Sequence, residues 1–212
     1  MNKILKLCLG GFGNSGQEFC RMLIEKHDEI LKTEGFDIKV CAISTKSKGA
    51  LLNENGIDLQ KALNDVERMK SFDRNHMDFS QASTLDIIKN SNADVLVELS
   101  TLSIKDGQPA ISHIETAFDK GMHAITANKG PIAWAYNRLS AMAKEKKLGF
   151  FYETTVMDGA PIYNMVRETL PGCKVLSFKG ILNSTTNFIL EEMEKGTDFQ
   201  TSIKEAQKRG FA

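Results

Sequence analysis

A glycine-rich stretch near the start of the chain constrains the fold more than any other feature. Three glycines spaced as Gly11-x-Gly13-x-x-Gly16 follow an apolar run over 4–9 and precede apolar residues at helical spacing. The first glycine permits a tight turn, the second lets the backbone approach a pyrophosphate, and the third lets the helix pack on the strand. The free N–H groups at the helix N-terminus attract the same anion. The pattern predicts a dinucleotide-binding loop, and a plain glycine-rich turn is the alternative. The loop comprises Gly11, Phe12, Gly13, Asn14, Ser15 and Gly16.

Strands and helices alternate along the first part of the chain. Apolar runs over 38–43, 94–99 and 123–126 predict strands, and apolar residues at helical spacing separate them. Strands joined by helices form a parallel sheet with right-handed crossovers, and ligands bind at the carboxyl ends of its strands. The sequence therefore predicts an α/β fold, a Rossmann-type doubly wound parallel sheet with helices on both faces.

A second region begins near Pro131, and the length of 212 residues predicts between one and two domains. We expect two strands and three helices in this region. The strands cover 150–155 and 175–182, and the helices begin at Pro161, at Thr185 and at about Thr201. The sequence thus predicts a nucleotide-binding domain over 1–135, followed over 136–212 by part of an α+β domain.

The end of the second predicted strand bears on the choice of dinucleotide. A site that prefers NAD usually places an acid here to bind the ribose 2′-hydroxyl. This chain has Ser44, Lys46 and Lys48, and no acid before Glu54. Two ammonium groups would attract a 2′-phosphate, so the sequence favours NADP(H) over NAD(H). The alternative is that the two lysines are solvated loop charges.

Lys129 is the strongest candidate for a catalytic group. It follows the predicted strand over 123–126, at the ligand edge of the sheet, between Asn128 and Gly130. A lysine there can donate a hydrogen bond or a proton to a carbonyl oxygen as a hydride reaches the carbon. Such general-acid catalysis contributes roughly 10²–10⁴ in rate. A surface lysine in a loop is the alternative.

Other titratable residues give weaker indications. Glu98 lies near a strand end, and a functional role or an exposed sheet terminus accounts for it equally well. The four histidines have no metal-like spacing, so we expect each on a helix surface, in a loop or on a strand rather than at a metal. They are His27, His76, His113 and His123.

Composition excludes several classes of function. The 27 Lys and Arg balance the 27 Asp and Glu, and a chain without a basic surplus is not an electrostatic nucleic-acid binder. The apolar run over 4–9 is interrupted by Lys6 and therefore lacks the pattern of a signal peptide or a membrane span. The four cysteines lack Cys-x-x-Cys spacing, which indicates neither a zinc site nor a disulfide framework. We expect a cytoplasmic protein that binds a small-molecule substrate and has no nucleic-acid or membrane partner.

Six segments spread along the chain resemble homoserine dehydrogenases. They are Gly11–Gly16; Val97–Thr101 with Asp106, Gly107 and Pro109–Ile114; Thr126–Pro131; Tyr152–Val156; Gly180–Asn187; and Ala206–Ala212. Five of these segments are specific to that family, and the glycine loop is the exception. The resemblance covers most of the chain.

The resemblance implies an activity and roles for individual residues. The activity is the NAD(P)-dependent interconversion of L-homoserine and L-aspartate 4-semialdehyde, in the route to threonine and methionine. Residues 12–16, Ser100, Thr101 and Asn128 would contact the dinucleotide, and Lys129 would lie between the nicotinamide and the substrate. The substrate's amino-acid end would be bound by Ser184 and Thr185.

The resemblance also implies a monovalent cation and a dimer. The main-chain carbonyls of Glu153, Val156, Asp158 and Ala160 would ligate Na⁺, and a plain strand-to-helix turn is an equally good account of this segment. Family members usually form homodimers through the second domain, so we expect a homodimer of the full-length protein.

The chain departs from the family at two points. Ser184 stands where many members have glycine. Family members continue beyond the equivalent of Ala212 with Glu-Ala-Asp-Pro, and then with an Asp and a Lys that bind substrate and handle the proton. We therefore expect the isolated chain to bind nucleotide better than it turns over substrate. A non-catalytic NADP-binding homologue is the main alternative, and another carbonyl reductase on the same scaffold is a third.

Overall fold

The computed structural model describes residues 3–157 and 159–211. The chain divides into two compact units, residues 1–155 and 156–212. Strands and helices alternate in the first unit, as predicted, and a 3-10 turn at Glu153–Thr155 ends it. Its elements are β1 (Lys3–Gly10), α1 (Asn14–Glu25), α2 (His27–Thr33), β2 (Phe36–Thr45), β3 (Gly49–Leu52), α3 (Leu59–Met69), β4 (Phe79–Ser80), α4 (Thr84–Asn90), β5 (Val95–Glu98), α5 (Ala110–Asp119), β6 (His123–Thr126), α6 (Lys129–Lys146) and β7 (Phe150–Phe151).

These strands form one mixed sheet in the order β4-β3-β2-β1-β5-β6-β7. β1 pairs in parallel with β2 on one side and with β5 on the other, and β6 and β7 continue in parallel beyond β5. The predicted Rossmann-type parallel sheet is confirmed for these strands. β3 and β4 add an antiparallel edge that the sequence did not predict, because runs of two to four residues carry too little periodicity to separate strand from loop.

The register of the sheet aligns the carboxyl ends of four parallel strands. Gly10 of β1 lies opposite Ser44 of β2 and Glu98 of β5, and Glu98 lies opposite Thr126 of β6. The strand order reverses at β1, which makes this edge the topological switch point of the sheet. Open α/β sheets bind their ligands at such a point.

Helices cover both faces of the sheet because the central strands are apolar on both sides. Successive side chains of a strand point to opposite faces. In β1, Cys8 therefore belongs to one buried cluster, with Leu96 and Leu139, while Leu7 and Leu9 belong to the cluster on the other face. Both faces of the nucleotide-binding edge are thus supported by packed apolar side chains.

Helix α6 runs across the predicted domain boundary at residue 135. Its buried residues Ala135, Leu139 and Ala143 all belong to one core cluster of the first unit. The whole helix therefore lies in that unit, and the functional division into 1–135 and 136–212 stays a prediction.

The described part of the second unit contains the helices α7 (Ile162–Thr169), α8 (Ser184–Glu194) and α9 (Phe199–Lys208), which confirms the three predicted helices. The predicted strand over 175–182 is wrong, because these residues are irregular and exposed. A strand needs a neighbour that takes up its backbone hydrogen bonds, and the described residues of this unit form no other strand. The strand predicted over 150–155 is also too long, since β7 ends at Phe151 and the 3-10 turn follows.

Among the helices of the described ranges, none combines the length and the apolar character needed to cross a membrane.

Candidate functional site

A cavity of about 600 Å³ lies at the carboxyl ends of β1, β2 and β5, and its volume is within the range of small-molecule sites. Four loops and the helices α4 and α5 of the first unit form its walls. The lining comprises Gly10–Gly13, Ser44–Gly49, Ser80–Leu85, Leu99–Thr101, Pro109 and His113. The predicted glycine loop, the two lysines after β2 and the Ser100-Thr101 pair are thus brought together.

The three glycines of the loop are required for different reasons. Gly11 has a φ of +135°, and a Cβ there would lie 2.5 Å from the carbonyl oxygen of Leu99. A Cβ on Gly16 would lie 2.7 Å from the carbonyl oxygen of Gly11. At Gly13, in contrast, a Cβ would meet no protein atom within 4 Å. Packing therefore accounts for the first and third glycines, whereas Gly13 leaves open space at the loop surface.

The N-terminus of α1 adjoins this open space. Gly13 caps the helix without a side-chain hydrogen bond, and the first turn carries no acidic residue. The first N–H groups of a helix have no partner within the helix, and the helix dipole gives them a partial positive charge. Asn14 and Ser15 are exposed at this end. The arrangement fits an anion such as a pyrophosphate, as the sequence predicts.

Ser100 adds a second indication that the cavity receives a polar ligand. Its hydroxyl Oγ is buried and has no hydrogen-bond partner within the described residues. A buried hydroxyl without a partner is unfavourable, and most are satisfied by protein, water or ligand. Ser100 lines the large cavity, as does the exposed Thr101. Both residues fit the predicted role of contacting a dinucleotide.

The loop after β2 is positively charged. Lys46 is exposed, Lys48 is half-buried, and both line the cavity. The Ser44 side chain is buried and its hydroxyl shares a hydrogen bond of 2.9 Å with the Thr84 hydroxyl. Within the described part of the chain, no carboxylate lines the cavity. The two lysines therefore give this wall an unopposed attraction for a phosphate.

Lys129 lies in a smaller cavity of about 140 Å³ at the end of β6, with Ser15, Ser100, Leu102 and Asn128 among its neighbours. It is exposed and is the first residue of α6. A cation at a helix N-terminus is opposed by the helix dipole, so this position does not serve helix stability. The smaller cavity shares Leu99 and Ser100 with the larger one.

The side chain of Asn128 joins two backbone segments beside Lys129. Its Nδ2 donates to the carbonyl oxygen of Ser100 at 3.0 Å, and its Oδ1 accepts from the N–H of Gly130 at 2.9 Å. The amide thus caps α6 and ties it to the loop after β5. The contact of Asn128 with a dinucleotide stays a prediction.

Glu98 and His113 form a buried pair that the sequence did not predict. Glu98 is fully buried, so the explanation of an exposed sheet terminus is wrong. His113 is buried on α5 rather than placed on a helix surface, in a loop or on a strand, and its Nδ1 lies 3.3 Å from Oε1 of Glu98. The available signal was a carboxylate that follows the apolar residues Val95, Leu96 and Val97, since a charge at a buried strand position needs a partner.

The predicted substrate residues lie in the second unit, at the start of α8. Asn183 caps this helix, and its side chain accepts from the N–H of Thr186 at 2.8 Å. Thr185 donates its hydroxyl hydrogen to the carbonyl oxygen of Phe211. Ser184 is exposed and is the first helical residue. The backbone N–H groups of Ser184 and Thr185 are first-turn donors, which suits the predicted binding of a carboxylate.

The predicted sodium ligands are divided between the two units. Glu153 lies in the first unit, Val156 and Ala160 lie in the second, and Asp158 lies outside the described residues. Within the second unit, the N–H of Ala160 donates to the carbonyl oxygen of Met157 at 3.4 Å. The Na⁺ site stays a prediction.

The described residues contain no group of three or more His, Cys, Asp or Glu side chains that could hold a metal ion. The cysteines of the first unit are also unsuited to nucleophilic chemistry. Burial raises the pKa of Cys8 and that of Cys20 to about 12 and the pKa of Cys41 to about 11. These thiols stay protonated at neutral pH, and a thiol is a poor nucleophile.

Two family models match this chain. The model described as homoserine dehydrogenase, NAD binding domain, matches residues 11–153, and the model described as homoserine dehydrogenase matches residues 161–212. The homoserine dehydrogenase of Methanocaldococcus jannaschii is 40% identical over 209 residues, which cover 98% of this chain and 62% of that protein. The NAD(+)-dependent homoserine dehydrogenase of Pseudomonas canavaninivorans is 32% identical, with 98% of this chain and 59% of that protein covered.

Solved structures agree with these matches. A hyperthermophilic archaeal homoserine dehydrogenase in complex with NADPH has a TM-score of 0.78 and 28% identity to this chain, over 98% of this chain and 62% of that one. The homoserine dehydrogenase from Thermoplasma acidophilum has a TM-score of 0.76 and 26% identity, over 99% and 62% of the two chains. This chain spans about three fifths of the length of the relatives it matches.

Proposed function

Because the chain belongs to the homoserine dehydrogenase family, we propose that it acts in the NAD(P)-dependent interconversion of L-homoserine and L-aspartate 4-semialdehyde. Its first unit carries the nicotinamide-dinucleotide-binding domain of that family. The observation that best supports the proposal is the position of Ser100, which lines both the cavity of the glycine loop and the cavity of Lys129 and whose buried hydroxyl has no partner within the described residues. A dinucleotide that spans both cavities would place one end beside the glycine loop and the other end beside Lys129.

The glycine loop and the N-terminus of α1 would hold the pyrophosphate. Gly13 presents the open backbone, and the N–H groups of Asn14 and Ser15 are available at the helix terminus. Ser100 and Thr101 would contact the nicotinamide side of the dinucleotide. When bound, the dinucleotide accepts a hydride from the alcohol carbon of homoserine, or donates one to the aldehyde carbon of the semialdehyde.

Lys129 would interact with the oxygen atom bonded to that carbon. In the reducing direction its ammonium donates a hydrogen bond or a proton to the carbonyl oxygen while the hydride reaches the carbon. In the oxidising direction the neutral amine of Lys129 would accept the hydroxyl proton while the hydride leaves the carbon. This role follows from its exposed position beside Ser100 and Asn128 at the end of β6.

NADP(H) is the dinucleotide that the charges favour. Lys46 and Lys48 line the large cavity after β2, the strand whose end meets the adenine ribose in this fold. An NAD-preferring site places an acid at this position, and none lines the cavity within the described ranges. A 2′-phosphate would meet two ammonium groups there.

The second unit would bind the amino-acid end of the substrate. The start of α8, with the N–H groups of Ser184 and Thr185, supplies donors for a carboxylate. We also propose that carbonyls near Glu153, Val156, Asp158 and Ala160 bind Na⁺, that the full-length protein is a homodimer, and that it acts in the cytoplasm. The first three of these points rest on the segments that resemble the family, and the last rests on the cysteine spacing and the interrupted apolar run over 4–9.

The role of Lys129 is tested by comparing two lysines of the same helix. We expect Lys129→Ala, in the protein that contains these residues, to reduce homoserine-dependent NADPH formation at 340 nm by at least about 100-fold. The dissociation constant for NADPH should stay within about threefold, because Lys129 acts on the substrate oxygen. Lys144→Ala in the last turn of α6 is the matched control and should change neither quantity.

Two results would contradict the proposal. Equal rates for Lys129→Ala and the wild type would show that Lys129 takes no part in the reaction. Tight NADPH binding with no turnover in a protein that carries all the family's residues would instead favour a non-catalytic NADP-binding homologue.

A further inference from the structure

Glu98 is a carboxylate that the proposed chemistry does not use. It ends β5, follows three buried apolar residues, and has no exposed surface. A buried carboxylate is strongly unfavourable unless it is paired and hydrogen-bonded. A residue needed only to complete the strand would be apolar, like Val95, Leu96 and Val97. The presence of a carboxylate at this position therefore needs a reason beyond folding.

Three donors from three different elements satisfy this carboxylate. Oε1 accepts from the backbone N–H of Ser100 at 3.1 Å and from Nδ1 of His113 at 3.3 Å. Oε2 accepts from the hydroxyl of Thr126 at 3.4 Å. Within residues 3–157 and 159–211, His113 is the only basic residue that pairs with Glu98. The carboxylate thus joins the loop after β5, helix α5 and the end of β6.

The hydrogen bonds continue from Glu98 to the start of α6. The Thr126 hydroxyl, which donates to Glu98, accepts from the N–H of Asn128 at 3.0 Å. Asn128 in turn donates to the carbonyl oxygen of Ser100 at 3.0 Å. The result is a closed circuit through Glu98, Thr126, Asn128 and Ser100. Two members of the circuit, Ser100 and Asn128, line the smaller cavity together with Lys129.

We propose that Glu98 and His113 are a positioning pair for the nicotinamide end of the dinucleotide. Glu98 holds the Ser100 turn against the start of α6, and His113 holds the Glu98 carboxylate in place. The inference rests on the proposed function, because it assigns the smaller cavity to the nicotinamide. The adenine end would be held by the loop that carries Lys46 and Lys48, in the larger cavity, whose lining includes the His113 side of the pair but not Glu98.

Two ligands distinguish this role from a general role in folding. NADPH occupies both ends of the site, whereas adenosine 2′,5′-bisphosphate occupies only the adenine end. We expect Glu98→Gln and His113→Leu to weaken NADPH binding to the 212-residue chain by about tenfold, since each removes a charge-assisted hydrogen bond. The affinity for adenosine 2′,5′-bisphosphate, measured by calorimetry, should stay within about twofold of the wild-type value.

A conservative variant and a matched control complete the experiment. His113→Asn places an amide N–H where Nδ1 stands, so it should restore NADPH affinity to within about threefold of the wild type. Glu115→Gln is the same substitution on the helix of His113, at a carboxylate that pairs with Arg138 at 3.0 Å, and should change neither affinity. Circular dichroism establishes that each variant is folded.

The outcomes separate the inference from the proposed function. Equal loss of both ligands in His113→Leu would show a general structural role and overturn the inference. Unchanged NADPH affinity in a folded His113→Leu would also overturn it. If Glu98→Gln does not fold, the comparison of His113→Leu with His113→Asn tests the inference. Failure of the wild-type chain to bind NADPH would contradict the proposed function, and the inference with it.

Discussion

Replacing Gly13 with alanine separates nucleotide binding from folding. Gly13 has φ −78° and ψ −159°, a conformation that alanine adopts without strain. The new Cβ meets no protein atom within 4 Å. The added methyl group therefore occupies space that the protein leaves open, at the loop where a pyrophosphate would approach the backbone.

The expected cost to folding is small. Glycine is a better N-cap than alanine, by about 0.5–1 kcal/mol. The lower entropy of the unfolded chain offsets this by about 0.4–1 kcal/mol. The net change in the free energy of unfolding should be within about 1 kcal/mol of zero, which moves the Tm by no more than about 2–4 °C.

The expected cost to nucleotide binding is larger. A methyl group forced into a filled contact typically costs about 1–3 kcal/mol. That free energy corresponds to a loss of roughly 5- to 150-fold in affinity for NADPH. The assay combines thermal unfolding, followed by circular dichroism, with a titration of NADPH fluorescence.

Gly11→Ala is the contrasting variant. Its φ of +135° and the contact of 2.5 Å with the Leu99 carbonyl oxygen predict a loss of stability of about 3 kcal/mol or more. The Tm should fall by roughly 6–12 °C. If Gly13→Ala binds NADPH as tightly as the wild type, the loop does not hold a pyrophosphate, and the alternative of a plain glycine-rich turn is favoured.

Three further predictions concern charges and thiols. The double variant Lys46→Ala/Lys48→Ala should weaken NADPH binding about tenfold and leave NADH affinity unchanged, and the difference should shrink at high salt; equal losses for both nucleotides would contradict the phosphate-binding role. Lys129→Ala should leave the Tm unchanged or slightly raised, because the helix dipole opposes the cation by about 0.3–1 kcal/mol; a fall of more than about 4 °C would show that Lys129 has a structural role. At pH 8 a thiol reagent should modify only the exposed Cys173 in the folded chain, because the other three thiols are buried with raised pKa values, and all four after unfolding; rapid modification of a second thiol in the native state would contradict the burial.

The parts of the fold that the sequence predicted are those whose signal is local. The glycine loop is determined by one short segment of sequence, in which a strand, three spaced glycines and a helix follow one another. The strands near 38–43 and 94–99 contain consecutive buried residues on both faces, whereas the strand over 123–126 is buried at Ala124 and Thr126 only. Ser83 caps α4 by accepting from the N–H of Asp86, which is typical of a serine that precedes a helix.

The features that the sequence missed depend on partners distant in the chain. The run over 175–182 has the composition of a strand, yet strand formation requires a neighbour, and the described residues of its unit supply none. Glu98 and His113 are 15 residues apart, and only the crossover from β5 to α5 brings them together. The hydrogen bonds by which the Asn128 side chain joins Ser100 to Gly130 were not predicted either, and the contact of Asn128 with a dinucleotide stays a prediction.

The central claim is that the carboxyl edge of this sheet binds a nicotinamide dinucleotide and prefers NADPH. It is tested most directly by titrating the chain with NADPH and with NADH at the same ionic strength and following nicotinamide fluorescence. We expect saturable binding of one nucleotide per chain, with NADPH at least about tenfold tighter, a difference of about 1.4 kcal/mol. Absence of saturable binding for both nucleotides, or tighter binding of NADH, would contradict it.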